Sequence, residues 1–137
     1  MDYQIRYLYW SRHEGIDRKL LNGTDKEGGI EEVIQLQMFS KMNGLTINPD
    51  GTRLFFCDEN SKQALYLDIG SSSAVVLIRE YELRDVSMDG NGVLYWLESG
   101  EKLILVMDDY ELSTDFNIEE EGQFNNPQRI HIALVNS

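Results

Sequence analysis

Residues 43–59 read NGLTINPDGTRLFFCDE, and the fold turns on this stretch. Leu45-Thr46-Ile47 and Leu54-Phe55-Phe56 are β-rich runs, and Asn48-Pro49-Asp50-Gly51-Thr52 between them is turn chemistry, so a hairpin is expected. Its second arm recurs as Leu8-Tyr9-Trp10 and Leu94-Tyr95-Trp96; the final aromatics fall at 10, 56 and 96, spacings of 46 and 40 residues. Its first arm recurs in RDVSMDGNG (84–92) and PQRIHIALV (127–135), where Leu45, Val86 and Ile130 are spaced by 41 and 44 residues. Two motifs sharing a period of about 40–45 residues indicate repeated four-stranded units, the length of propeller blades.

The remaining strands fit that frame. After each aromatic run comes a polar loop (SRHEG, DENSKQ, ESGEK), then a third strand (IDRKLL, ALYLDI, LILVMD) and a fourth (EEVIQL, AVVLI, STDFNI). With the four strands of a blade lettered a to d from the axis outward, the aromatic run is b. The chain then reads b-c-d, a-b-c-d, a-b-c-d, a. This is one domain over 1–137, with repeats at about 5–38, 43–79 and 84–118 and a closing strand at about 127–135 carrying Ile130, Ile132 and Leu134. The stretch GGIEEVIQLQMFSKM (28–42) also admits an amphipathic helix, with Ile30, Val33, Ile34, Gln37 and Met38 toward one side.

In LYWSR, LFFCDE and LYWLES, each in register with a GLTINPDG-type strand, the chain resembles the YWTD repeats of the low-density lipoprotein receptor family. The resemblance covers nearly the whole chain and implies an all-β, six-bladed β-propeller, of which this chain holds three blades. Tyr-Trp is kept twice, and the fourth letter is Arg12, Asp58 and Glu98 in turn. NGTD (22–25) and DIGSS (68–72) resemble the family's turn after the third strand. Six-bladed relatives of NHL and lactonase type share the general pattern.

Trp10, Phe56 and Trp96 are expected to pack between blades, since each aromatic buries about 150–250 Å² and fills the widening interblade gap. Three blades leave a ring unfinished. A second copy, related by a twofold axis, could lend its closing strand to the first blade and complete six blades as a homodimer. The alternative is that the chain is half of a larger receptor-like propeller.

With 12 basic and 24 acidic residues, a net charge of −12, the chain is not expected to bind nucleic acid, and no apolar run reaches the roughly 20 residues of a membrane helix. The amino terminus lacks the apolar run of a signal peptide, so an intracellular protein or an excised segment is expected, extracellular if it belongs to a receptor-like protein. Cys57, the single cysteine, forms no internal disulfide and reads as a small buried hydrophobe. His13 and His131 lack metal-ligand spacing, DGNG (89–92) reads as a hairpin turn rather than a calcium loop, and no nucleophile elbow or phosphate loop is present. NGT at 22–24 fits the N-glycosylation pattern.

The expected function is therefore non-catalytic binding of a protein or peptide, with no cofactor. The d–a and b–c loops share one rim, richer in aromatic, charged and amide groups, which makes Met42, Asn43, Tyr81, Arg84, Phe124 and Asn125 the candidate ligand-face residues. The alternative is a propeller enzyme of lactonase or lyase type with a channel metal, for which Asn43, Asn48, Asp89 and His131 are the available ligands.

Overall fold

Every regular element in the computed structural model, which describes residues 6–21, 29–35, 41–100, 103–109, 111–117 and 130, is a β-strand. The first sheet holds β1 (Tyr7–Arg12), β2 (Gly15–Leu20) and β3 (Glu31–Gln35) in sequential order. The second runs β4 (Met42–Ile47), β5 (Arg53–Asp58), β6 (Gln63–Asp68) and β7 (Val75–Arg79). The third runs β8 (Leu83–Met88), β9 (Leu94–Glu98), β10 (Leu103–Asp108) and β11 (Glu111–Asn117). All neighbours are antiparallel, so these are three blades of a β-propeller, the first without an inner strand of its own among the described residues. The helix reading of 28–42 is overturned at Glu31–Gln35, which pairs with β2; residues 36–40 lie outside the described set. So do Ile132 and Leu134 of the closing strand, and Ile130 alone of that strand is described.

The repeat is visible in the irregularities as well as in the strands. The c–d pairing slips once in every blade, between Ile16 and Asp17, between Ala64 and Leu65, and between Ile104 and Leu105. These three positions are equivalent within the repeat. A bulge increases local twist, so each blade is twisted more strongly at the same point of its outer half. The a–b pairing slips too, around Gly44 in the second blade and Arg84 in the third.

Side-chain alternation then decides the packing, because residues opposite one another on paired strands share a face. In the second blade, Leu54, Phe56, Leu65 and Leu67 face the first blade and join Ile16 and Ile34 in one core cluster. Phe55, Cys57, Ala64 and Ile78 face the other way and join Leu83, Val86, Leu94, Trp96, Leu105 and Met107 of the third blade. Phe56 and Trp96 are completely buried between blades. Trp10, at the same place in the first blade, is half-buried on the face turned away from the second blade, and it belongs to neither cluster.

The inner strands of the second and third blades nearly touch at Gly44. Its φ is +68°, and a Cβ there would lie 2.7 Å from Asp85 Oδ1 and 3.0 Å from the Val86 nitrogen. Glycine is required twice over, for backbone conformation and for space. We therefore expect Gly44→Ala to destabilise the protein by about 2 kcal/mol or more, and Gly70→Ala, whose added methyl meets open space, by about 1 kcal/mol, paying only for its positive φ. Urea unfolding midpoints of the two variants check the difference.

Candidate functional site

On one rim, backbone hydrogen bonds join b–c loops to the strands that enter each blade: Glu59 N–H to Lys41 O at 2.8 Å, and Ser99 N–H to Glu82 O at 2.9 Å. In the second and third blades the fourth letter of the aromatic run organises these junctions. Asp58 Oδ1 accepts from the N–H groups of Lys41 (3.0 Å) and Asn60 (3.1 Å). Glu98 Oε1 accepts from those of Glu82 (3.2 Å) and Gly100 (2.9 Å). Both carboxylates are buried, and each satisfies two donors that would otherwise be orphaned. Arg12 has no acceptor to offer at this position and turns instead to Asp17 (3.0 Å) and Glu32 (2.8 Å) across its own sheet.

Several residues expected to meet a ligand on this rim are engaged with other protein groups, within a blade or across to the next. Asn43 donates to Glu59 Oε2 at 2.7 Å, Lys41 Nζ lies 3.0 Å from the same oxygen, and Arg84 pairs with Glu59 Oε1 from the third blade. Arg84 also donates to Ser99 Oγ at 3.1 Å. Tyr81 packs against the cluster between the second and third blades. Met42 is a correction: it is buried in the core between the first and second blades, where its place as first residue of an inner strand aims it inward. Phe124 and Asn125 lie outside the described residues.

Burial by itself raises the Glu59 carboxyl, but the hydrogen bonds from Lys41 and Asn43 and the charges of Arg84 and Lys41 outweigh it, so Glu59 titrates below the ordinary carboxylate range. Cys57 is pushed the other way: burial raises its thiol well above the ordinary value, helped by the negative charge of Asp85.

The opposite rim is open. Its two a–b turns are built alike. Asn48 Oδ1 accepts from the N–H groups of Thr52 (2.8 Å) and Arg53 (3.0 Å), and Asp89 Oδ1 from those of Asn91 (2.8 Å) and Val93 (3.0 Å). Asn48 and Asp89, two of the candidate channel ligands, thus close their own turns. Between these turns lies a cavity of about 510 Å³. Phe55, Met88, Leu94 and Met107 contribute apolar surface to it, and Asp50, Asp68, Asp108 and Asp109 contribute carboxylates. Arg53, the one cation of the lining among the described residues, is held by Asp68 at 2.6 Å and lies over the Tyr66 ring at 4.0 Å. Asp50, Asp108 and Asp109 remain as exposed carboxylates around an apolar floor.

Sequence reasoning singled out none of Arg53, Asp68, Asp108 and Asp109 for the site. The signal that finds them is the repeat register, since Asp68 and Asp108 are equivalent ends of the third strand in successive blades. Among the described residues, no three His, Cys, Asp or Glu side chains are grouped to hold a metal ion.

No protein-family model matches this chain, and no curated protein matches it. Solved structures do. A crystal structure of a nidogen/laminin complex superposes with a TM-score of 0.69 at 15% identity, over 83% of this chain and 45% of that one. Regucalcin from Agrobacterium tumefaciens, titled a calcium-binding protein, superposes with a TM-score of 0.51 at 15% identity, over 72% of this chain and 35% of that one. This chain therefore spans less than half of either matched chain, and the likeness supports the β-propeller fold.

Two measurements probe the locked rim. Because the Glu59 carboxyl is depressed in the folded protein, its contribution is complete above its unfolded value of 4.5 and is lost as pH falls through the lower folded value. Glu59→Gln should cost about 1–2 kcal/mol at pH 7 and remove part of the acid-induced loss of stability, as read from urea unfolding at pH 7 and pH 3. The Cys57 thiol should react with a thiol reagent only at the rate of global opening, so that stoichiometric labelling appears with the unfolding transition.

Proposed function

We propose that this chain is a non-catalytic binding scaffold that holds a protein or peptide through the cleft between its second and third blades, in a ring completed by a second copy. The observation that carries the reading is the cleft, about 510 Å³ with Phe55, Met88, Leu94 and Met107 below and Asp50, Asp108 and Asp109 above. An apolar floor with unneutralised carboxylates at its edge suits a long side chain with an apolar stem and a cationic head, as in lysine or arginine. The two a–b turns beside the cleft, one of which carries Asp50, are tied by Asn48 and Asp89, so that side of the cleft is pre-organised and loses little ordering entropy on binding. The net charge of −12 steers such a partner toward the protein. One matched structure is, by its name, a complex of nidogen with laminin, an assembly of proteins, which agrees with a binding role for the fold.

Peptides selected from a random display library against the protein provide the test. They should be enriched in Lys or Arg, bind more weakly as salt rises, and lose about tenfold in affinity on the double variant Asp50→Asn/Asp108→Asn. Tyr81→Ala, on the opposite rim, should leave their affinity unchanged. Peptides that ignore the aspartate changes and depend on Tyr81 would move the site to the other rim. A library that yields no binder would remove the binding reading.

A further inference from the structure

Arg53 is held at the cleft as an arginine from outside would be held. It is the first residue of β5 and lies opposite Asp68, the last residue of β6. Its Nε donates to Asp68 Oδ1 at 2.6 Å and a terminal nitrogen to Oδ2 at 3.2 Å, the two-pronged contact of a planar guanidinium with a carboxylate. The same guanidinium lies 4.0 Å over the Tyr66 ring. A carboxylate fork and an aromatic face are the two features that favour arginine over lysine. Arg53 and Asp68 line the cleft, so both features are present there and the chain fills them itself.

The first blade repeats this contact with its strands exchanged. Tyr7 on β1 holds the position of Arg53, and Arg18 on β2 holds that of Tyr66. Arg18 lies 4.1 Å over the Tyr7 ring and is held by Glu31 at 3.1 Å. What recurs is an arginine over a ring beside a carboxylate, whichever strand supplies each part. The third blade has valine at both positions, Val93 and Val106, and carries neither part. Of these two guanidinium platforms, the one on the second blade borders the cleft.

We infer that Arg53 sets the head-group preference of the cleft: by holding Asp68 and covering Tyr66 it fills the guanidinium subsite, so the cleft takes lysine in preference to arginine. This rests on the cleft being a site for a cationic side chain. A partner is left with Asp50, Asp108 and Asp109, carboxylates exposed to water. An ammonium is a compact point charge with three rotatable donors and meets scattered carboxylates in any orientation. A guanidinium gains over it through a fork and a stacking face, and here both are occupied. Phe55, the ring in the floor, is only 3% exposed and offers little face of its own.

Arg53 is also hard to displace. Its N–H donates to Asn48 Oδ1 at 3.0 Å and its carbonyl accepts from the Asn48 N–H at 3.0 Å, so its backbone is tied to the a–b turn in both directions. A side chain tethered beside its carboxylate competes at an effective concentration on the order of millimolar. A partner arginine at micromolar concentration does not supplant it. Lysine has no need to, because the carboxylates left to it are others.

Two acetylated, amidated pentapeptides, alanine throughout except for a central lysine or arginine, provide the test, with affinities read by NMR titration. The wild-type chain should bind the lysine peptide about threefold more tightly. Arg53→Ala should reverse the order and favour the arginine peptide about tenfold, and adding Tyr66→Leu should remove most of that gain. Removing a positive charge strengthens both peptides alike, so the ratio of the two affinities isolates the subsite. Arg53→Lys keeps the net charge but lacks the planar fork, and should raise the arginine-to-lysine ratio about threefold even if Arg53→Ala fails to fold. A wild-type chain without a preference for lysine, or variants that change both affinities by one factor, would overturn the role of Arg53 and leave the cleft reading standing. A wild-type chain that binds neither peptide removes the cleft reading and the role of Arg53 together.

Discussion

A strand with apolar side chains on both faces needs a neighbour on each face, and the b strands of this chain are of that kind. Leu54 and Phe56 point one way along β5, Phe55 and Cys57 the other, and all four are buried. No two-layer sandwich with one wet side can accommodate that pattern, because half of the run would face water. Blades stacked face to face around an axis accommodate it, each blade being core for two neighbours. The same requirement passes from blade to blade.

Stacking alone leaves the strand entries unsupported, and the buried acids Asp58 and Glu98 resolve that. Each accepts one N–H from its own b–c turn and one from the residue leading into the inner strand. Above them, Glu59 of the second blade reaches Arg84 of the third, so the rim is tied both within and between blades. A rim whose polar groups are spent on one another has little left for a ligand. The opposite rim has self-contained turns, and the space between two such turns stays open. Rigidity on one side and an open cleft on the other follow from where the carboxylates sit in the repeat.

Much of this architecture was legible in the sequence because it rests on periodicity. The spacing of Trp10, Phe56 and Trp96 and the turn residues at 48–52 and 89–92 define blades without any knowledge of contacts. The site was less legible, for a physical reason. Composition marked the d–a and b–c loops as rich in functional groups, but their richness reflects mutual pairing, as Asn43, Glu59 and Arg84 show. The cleft depends on Asp68 and Asp108, which stand forty residues apart and become neighbours only when blades are stacked. Met42 was misread because its position just after a polar loop resembles loop chemistry, while the inner strand already begins there.

Position 96 shows how shape is weighed against polarity in such a ring. Trp96 is completely buried, and its Nε1–H has no acceptor among the described residues. An unpaired buried N–H costs about 1–3 kcal/mol. The equivalent position in the second blade is Phe56, which carries no such group. The difference lies in the sockets. Trp96 packs in one cluster with Cys57 and Ala64, two small side chains that leave room for a large ring. Phe56 meets the first blade, where Ile16 stands in the position of Ala64 and takes up that room. A phenyl ring against Cys57 and Ala64 would fill less volume, and a void costs more the larger it is. The larger ring is retained because the volume it fills outweighs the hydrogen bond it forgoes.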